Sequence, residues 1–176
     1  MFSILKLIVD VVAGLLGGVL LLRFWMQAIR VRPPSSVAQF TFQLSDWLVR
    51  PLRRIVPGMG GYDWASLIGA LLIVILANSV LFLVGATAEI VLIRALYQFL
   101  MWILFGLMAL LIIEAVFSWV NPHAPLAPFV RALNEPLLRP IRKVVPLVGN
   151  LDLSVMVAMV LLLICQKLVG MLFGLE

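Results

Sequence analysis

Four long apolar stretches alternate along the chain with two shorter segments in which apolar and polar residues alternate at helical spacing. The apolar stretches cover approximately residues 4–30, 64–88, 95–120 and 153–175. Each has the roughly 20 residues that a helix needs to cross the hydrocarbon core of a bilayer. The pattern therefore predicts an all-α integral membrane protein with four transmembrane helices.

The two shorter segments follow the first and third apolar stretches. In the first, Val37, Phe40 and Leu44 recur at steps of three and four, and the second has the same spacing. Such steps predict an amphipathic helix with a basic polar face. The segments contain internal prolines: Pro51 in the first, Pro136 and Pro140 in the second. Because proline removes a helical hydrogen bond, we expect each segment to be two short helices joined at a bend.

The sequence repeats itself at a spacing of 89 residues. Arg-Pro-Leu-Arg-Arg-Ile-Val-Pro at 50–57 matches Arg-Pro-Ile-Arg-Lys-Val-Val-Pro at 139–146, and both copies continue to an aspartate, Asp63 and Asp152. We therefore expect two halves, 1–88 and 89–176, each made of a transmembrane helix, a basic amphipathic segment and a second transmembrane helix. Because each half crosses the membrane twice, the two halves have the same orientation.

A turn with the spacing Pro-x-x-Gly-x-x-Asp closes each amphipathic segment. Proline ends the surface helix, glycine permits the turn, and aspartate can cap the amides of the next helix. A cation or ligand site between the two aspartates is the alternative interpretation. The residues concerned are Pro57, Gly60 and Asp63 in the first copy and Pro146, Gly149 and Asp152 in the second.

Composition excludes several classes of protein. With 64% hydrophobic side chains, 12% charged side chains and a mean hydropathy of +1.19, a soluble domain of this size is excluded. One cysteine and one histidine argue against a disulfide framework and against a metal or haem centre, so we expect no cofactor. The sequence has neither a nucleophile beside a base nor a phosphate-binding glycine loop, so we expect no enzymatic activity.

Most of the lysines and arginines behind the net charge of +5 lie in the loops after the first and third apolar stretches. The positive-inside rule therefore places these loops in the cytoplasm and both termini outside. We expect anionic membrane lipids as partners, together with an unidentified membrane or cytoplasmic protein, and no direct contact with nucleic acid. Whether the chain forms a homo-oligomer stays open. The residues assigned to this surface are Arg50, Arg53, Arg54, Arg139, Arg142 and Lys143.

Two charged residues, Arg23 and Glu114, lie inside the first and third apolar stretches. Both are about 8–9 Å from the predicted cytoplasmic ends of their helices, counting about 1.5 Å per residue. An unpaired charge in hydrocarbon costs several kcal/mol. We therefore expect an intramembrane ion pair between Arg23 and Glu114 that joins the two halves. A proton or cation relay through Glu114, and snorkelling of Arg23 alone, are the alternatives.

The doubled motif Arg-Pro-x-Arg-[Arg/Lys]-[Ile/Val]-Val-Pro-x-x-Gly-x-x-Asp resembles the YggT family of small bacterial and plastid membrane proteins. Asn121-Pro122 opens the second basic loop as in that family, whereas Arg32-Pro33 stands in the first. The resemblance implies a protein of the bacterial inner membrane or thylakoid without established enzymatic activity. It also implies relatives linked to cell division, nucleoid distribution, cytochrome assembly and osmotic tolerance.

From the residues and the resemblance together we predict a small inner-membrane scaffold or assembly factor. Its basic amphipathic helices recruit lipid or partner proteins at the cytoplasmic surface. A small ion-conducting or ion-regulating protein that uses the interface between the repeats is the alternative.

Overall fold

The computed structural model describes residues 2–145 and 152–174, and this part of the chain is all-helical. Four helices are long and apolar enough to cross a membrane, which confirms the predicted fold class. They are α1 (Phe2–Ala28), α3 (Trp64–Ser79, continued by a 3₁₀ turn over Val80–Val84), α4 (Ala88–Val120) and α6 (Leu153–Phe173). Two further helices, α2 (Ser35–Ile55) and α5 (Ala127–Arg142), occupy the amphipathic segments.

Helix α4 begins at Ala88, earlier than the sequence pattern suggested, because the reversal after the 3₁₀ turn is very short. Gly85 has a left-handed backbone (φ 80°) and ends the preceding turn. The Thr87 hydroxyl then accepts a hydrogen bond from the Ile90 amide (3.4 Å) and caps the new helix. The apolar stretch that was expected to start near residue 95 is therefore the later part of a 33-residue helix.

The four long helices pack side by side in the order α1, α3, α4, α6. Helix α2 packs on α1 and α3, whereas α5 packs on α4 and α6. Because successive long helices run in opposite directions, α2 and α5 lie at the same end of the bundle, which we call the basic end. The 3₁₀ turn lies at the opposite end.

Helices α2 and α5, which we call the surface helices, each contribute to a hydrophobic cluster of their own half. Val49 of α2 packs with Leu20 of α1 and Ala65 of α3. Leu138 of α5 packs in the same way with Leu111 of α4 and with α6. The surface helices are therefore integral to the fold on one face and open to the surroundings on the other.

The expected bend in each amphipathic segment is wrong, because α2 and α5 each run as one helix through their prolines. Pro51, Pro136 and Pro140 all lie on the exposed face. Of the residues whose carbonyl groups lose a helical partner four positions earlier, Trp47 and Pro136 are exposed and Ala132 is half-buried, so water can hydrogen-bond at these positions. The helices consequently tolerate proline without breaking.

The two halves are in direct contact where Trp102 of α4 lies against Gly17 of α1. A Cβ atom on Gly17 would overlap the Trp102 ring, whereas a Cβ on the neighbouring Gly18 would meet nothing within 4 Å. The absence of a side chain at Gly17 therefore lets the two helices approach each other.

Replacing Gly17 with alanine tests this contact. We expect Gly17→Ala to displace the rigid indole and to lower the free energy of unfolding by about 1–3 kcal/mol. The matched control, Gly18→Ala, adds the same methyl group to open space on the same helix. Thermal unfolding of the purified variants in detergent provides the comparison. Equal melting temperatures for the two variants would show that the halves do not pack through Gly17.

Candidate functional site

A set of polar contacts at the basic end surrounds the first motif aspartate. Asp63 is buried at the start of α3, where its carboxylate accepts hydrogen bonds from the Ser66 amide (3.4 Å) and hydroxyl (2.7 Å). Arg53, in the last turn of α2, donates to the same carboxylate through Nη2 (2.6 Å) and Nε (3.3 Å). One carboxylate thus caps a transmembrane helix and ties the preceding surface helix to it.

The second copy of the motif has the same pairing. Asp152 accepts a hydrogen bond from the Ser154 amide (3.0 Å) at the start of α6. Arg142 donates to Asp152 through Nε (3.0 Å), and its Nη2 lies 2.8 Å from the same oxygen. In both copies the arginine precedes the aspartate by ten residues. Arg53 and Arg142, which the sequence assigned to the membrane surface, therefore bind inward to the fold.

The turn that precedes Asp63 depends on two glycines. Gly60 (φ 68°) and Gly61 (φ 84°) both have left-handed backbones between Met59 and Tyr62, which close a tight two-residue turn. Pro57 lies just before this turn, outside α2. The corresponding residues of the second copy, Pro146 and Gly149, lie outside the described part of the chain.

Arg23 is almost completely buried (6% exposed), and its polar contacts are all with residues of the first half. Its Nη1 donates to Ser45 Oγ (2.6 Å) and Asp46 Oδ1 (2.7 Å) of α2, and its Nε donates to Asp63 Oδ2 (3.3 Å). The guanidinium group also stands over the Phe42 ring, 4.8 Å from its centroid. Arg23 thus reinforces the attachment of α2 to α3.

Glu114 is equally buried (7% exposed) and contacts the surface helix of the second half. Its Oε2 accepts a hydrogen bond from Asn134 Nδ2 (2.7 Å), and its Oε1 accepts one from Arg142 Nη2 (3.3 Å). The predicted ion pair between Arg23 and Glu114 is therefore wrong. Each residue is neutralised within its own half instead of joining the two halves.

The matched depth of Arg23 and Glu114 has a different cause: they occupy the same position in the two copies. They are 91 residues apart, whereas their partners Ser45 and Asn134 are 89 apart. The 91-residue spacing also relates buried residues of α1 to core residues of α4: Ala13, Gly17 and Leu20 to Leu104, Met108 and Leu111. Helices α1 and α4 are thus related by 91 residues, whereas the surface helices α2 and α5 are related by 89. The position that holds Arg23 in the first copy therefore holds Glu114 in the second.

Two equivalent cavities open at the basic end, one beside each surface helix. The first, the α2 cavity, has a volume of about 480 Å³, and the second, the α5 cavity, about 400 Å³. Charged residues line both. Those of the α2 cavity are Arg23, Asp46, Arg50 and Arg53, and those of the α5 cavity are Glu114, Arg131, Arg142 and Asp152.

The ion pairs beside these cavities have opposite charge balance among the described residues. In the first copy, Arg23, Arg50 and Arg53 share two carboxylates, Asp46 and Asp63. In the second copy, a single arginine pairs with three carboxylates: Arg142 with Glu114, Glu135 and Asp152. Arg131 adds one positive charge to the wall of the α5 cavity. The lining of the α2 cavity therefore has an excess of positive charge. The charges that line the α5 cavity balance, with Arg131 and Arg142 beside Glu114 and Asp152.

The aspartates at this end remain ionised near neutral pH. The hydrogen bond from Arg23 lowers the pKa of Asp46 below its ordinary value of 3.8. Burial raises the pKa of Asp63, but hydrogen bonds from Arg53 and Ser66 outweigh burial and the net direction is downward. The pKa of Asp152 is lowered in the same way, against burial, by Ser154 and Arg142. The arginine contacts are therefore full ion pairs.

A separate polar cluster at the opposite end links the two halves. Gln98 of α4 accepts a hydrogen bond from Asn78 of α3 (2.7 Å) and donates one to Asp10 of α1 (3.5 Å). Asp10 is also paired with Lys6. Gln98 was not predicted as a site residue, because its partners lie on two other helices. Among the described residues, no group of three or more histidine, cysteine, aspartate or glutamate side chains is placed to hold a metal ion.

Comparison with known proteins agrees with the doubled motif. The CCB3/YggT family model matches two segments of the chain, 2–84 and 93–173, one within each predicted half. The chain belongs to the CCB3/YggT family. With its four apolar helices, this family member is a multi-pass membrane protein. No solved structure matches it.

Relatives from bacteria are similar to the chain over most of their length. YggT of Escherichia coli strain K12, described as uncharacterized, is 35% identical over 159 residues, covering 90% of this chain and 85% of that one. An uncharacterized protein in the proC 3′ region of Vibrio alginolyticus is 31% identical over 169 residues, covering 89% and 88%. The similarity therefore extends over both halves of the family member.

A pair of double-mutant cycles in detergent tests the assignment of ion pairs. Arg23→Gln combined with Asp46→Asn should show a coupling of about 1–3 kcal/mol, because the two side chains share a hydrogen bond. Arg23→Gln combined with Glu114→Gln should be additive within about 0.5 kcal/mol, since these residues do not touch. Chemical or thermal unfolding supplies the four stabilities of each cycle. A large coupling in the second cycle would restore the interhelical pair and reject the assignment made here.

Proposed function

We propose that this family member is a small membrane scaffold whose two surface helices recruit a protein partner and anionic lipid at the cytoplasmic face. The proposal places it in the bacterial inner membrane with the basic end inside, following the positive-inside rule. Cell division, membrane-complex assembly and osmotic stress, which the family resemblance implies, are the settings in which such recruitment would act.

The observation that carries the proposal is a set of exposed cations with no role in the fold. The side chains of Arg54, Arg139 and Lys143 are exposed and form no hydrogen bond or ion pair with any residue the structure describes. Arg50 is largely exposed as well, although it contacts Asp46 (2.8 Å). Arg53 and Arg142, by contrast, stabilise the fold. The exposed group is available to an external partner, and long-range attraction to an anionic surface is its simplest use.

The two surface helices have different roles in this recruitment. Helix α2 exposes a row of large apolar side chains spaced by three and four residues, Phe40, Leu44 and Trp47, as a helix lying in the headgroup region does. In α5 the position equivalent to Leu44 is Leu133, which is buried, and the exposed face carries Arg131 and Arg139. Helix α2 therefore serves as the membrane anchor and α5 as the face for a protein partner.

Ion conduction, the alternative function, has less support in the packing. Asp10 and Arg23, the polar residues of α1 at the two ends of the bundle, are separated by about 20 Å along the helix. Between them Trp102 fills the space beside Gly17. A path for ions between α1 and α4 would have to displace this ring.

Photo-crosslinking in native membranes tests the scaffold. A photoreactive amino acid at exposed Pro136 should give a discrete protein adduct, and Arg139→Glu should abolish it by reversing a charge one turn away. The matched control is Arg94→Glu, which makes the same change at the exposed opposite end and should leave the adduct intact. Adduct formation is read on denaturing gels and by mass spectrometry. No adduct, or an adduct indifferent to Arg139→Glu, would contradict the proposal.

A further inference from the structure

The α2 cavity has the features of a ligand site that the scaffold role alone does not require. Its volume of about 480 Å³ is within the range of about 300–1,000 Å³ typical of small-molecule sites. Its wall combines guanidinium groups with apolar side chains, including Met26, Val31 and Phe42. A ligand that suits such a wall has an anionic group and an apolar body.

Arginine N–H groups beside the cavity remain available for an anion. Arg53 binds Asp63 through Nε and Nη2, which leaves Nη1 without a hydrogen bond among the described residues. Arg50 contacts Asp46 only through Nη2, and its side chain is 78% exposed. A guanidinium group can donate two parallel hydrogen bonds to the oxygens of one phosphate. The presence of Arg50 and Arg53 at one cavity therefore suits a phosphate group.

We propose that the α2 cavity binds the headgroup phosphate of an anionic phospholipid from the cytoplasmic leaflet. The inference deepens the proposed function and rests on its placement of the basic end at the cytoplasmic surface. The exposed row Phe40, Leu44 and Trp47 sets α2 at the boundary between headgroups and acyl chains, the level at which a lipid phosphate lies. The apolar wall of the cavity then contacts the glycerol and upper acyl region.

The α5 cavity of the same chain is an internal comparison. Glu114 there takes the position of Arg23, and Arg131 takes that of Phe42 at the 89-residue spacing. Arg142 there is shared among three carboxylates, and the charges of the cavity wall balance, whereas the α2 cavity has a positive excess. Divergence at these positions therefore favours phosphate binding in the first copy.

The experiment measures lipid binding by the purified full-length protein in an uncharged detergent. Dioleoylphosphatidylglycerol, dioleoylphosphatidylcholine and inorganic phosphate are added separately, and bound lipid is counted by native mass spectrometry while thermal unfolding reports stabilisation. We expect phosphatidylglycerol to bind and to raise the melting temperature, and the other two to do neither. Arg50→Gln should weaken phosphatidylglycerol binding about tenfold, the effect of losing one charged hydrogen bond.

The control is Arg94→Gln, which removes an exposed arginine at the opposite end of the bundle and should leave binding within about twofold. Melting temperatures without lipid establish that both variants are folded. Equal losses in the two variants would assign binding to general surface charge and overturn the proposal. Equal binding of phosphatidylcholine would do the same, and displacement by inorganic phosphate would assign the cavity to a free anion. Because the crosslinking experiment probes α5, its outcome and this one are separable.

Discussion

The architecture depends on one arrangement: a carboxylate at the start of a transmembrane helix that binds an arginine ten residues earlier. Asp63 and Asp152 each accept a backbone hydrogen bond in the first turn of their helix and an ion pair from Arg53 or Arg142. A surface helix lying at a membrane has apolar residues on one side and charges on the other, so lipid alone does not fix its direction. The ion pair does so, because a carboxylate withdrawn from water at the start of the helix is costly to leave unpaired.

Once the surface helices are fixed, the two copies can diverge beside them. The position that faces the surface helix is Arg23 in the first copy and Glu114 in the second, and both are neutralised locally. The exchange removes the excess of positive charge from the adjoining cavity without changing the backbone plan. One fold repeated twice thus provides two surfaces of different chemistry. Helix α2 exposes large apolar side chains beside a cavity with excess positive charge, whereas α5 exposes Arg131 and Arg139.

The sequence predicted the helices and the repeat, but not the pairing of the intramembrane charges. The length of the hydrophobic stretches and the 89-residue repeat are both visible in the sequence itself. The four long helices and the motif aspartates could therefore be located without a structure. The partner of Arg23 could not be predicted in this way. The two copies are offset by 91 residues in the long helices and by 89 in the surface helices, which changes the positions that face each other. Comparison of the halves at 91 residues would have aligned Arg23 with Glu114 and argued against contact. The bend predicted from the prolines of α2 and α5 was wrong, because the exposure of these prolines depends on how the helices pack.

Hydrogen exchange of the purified protein in detergent, followed by mass spectrometry, tests the central claim most directly. Asp63→Asn retains a capping side chain but loses the charge that binds Arg53, and Asp152→Asn does the same for Arg142. The account predicts that Asp63→Asn lowers the protection of α2 while α5 is unchanged, and that Asp152→Asn has the reverse effect. Equal protection of both surface helices in both variants would show that these ion pairs do not hold them, and would contradict the account.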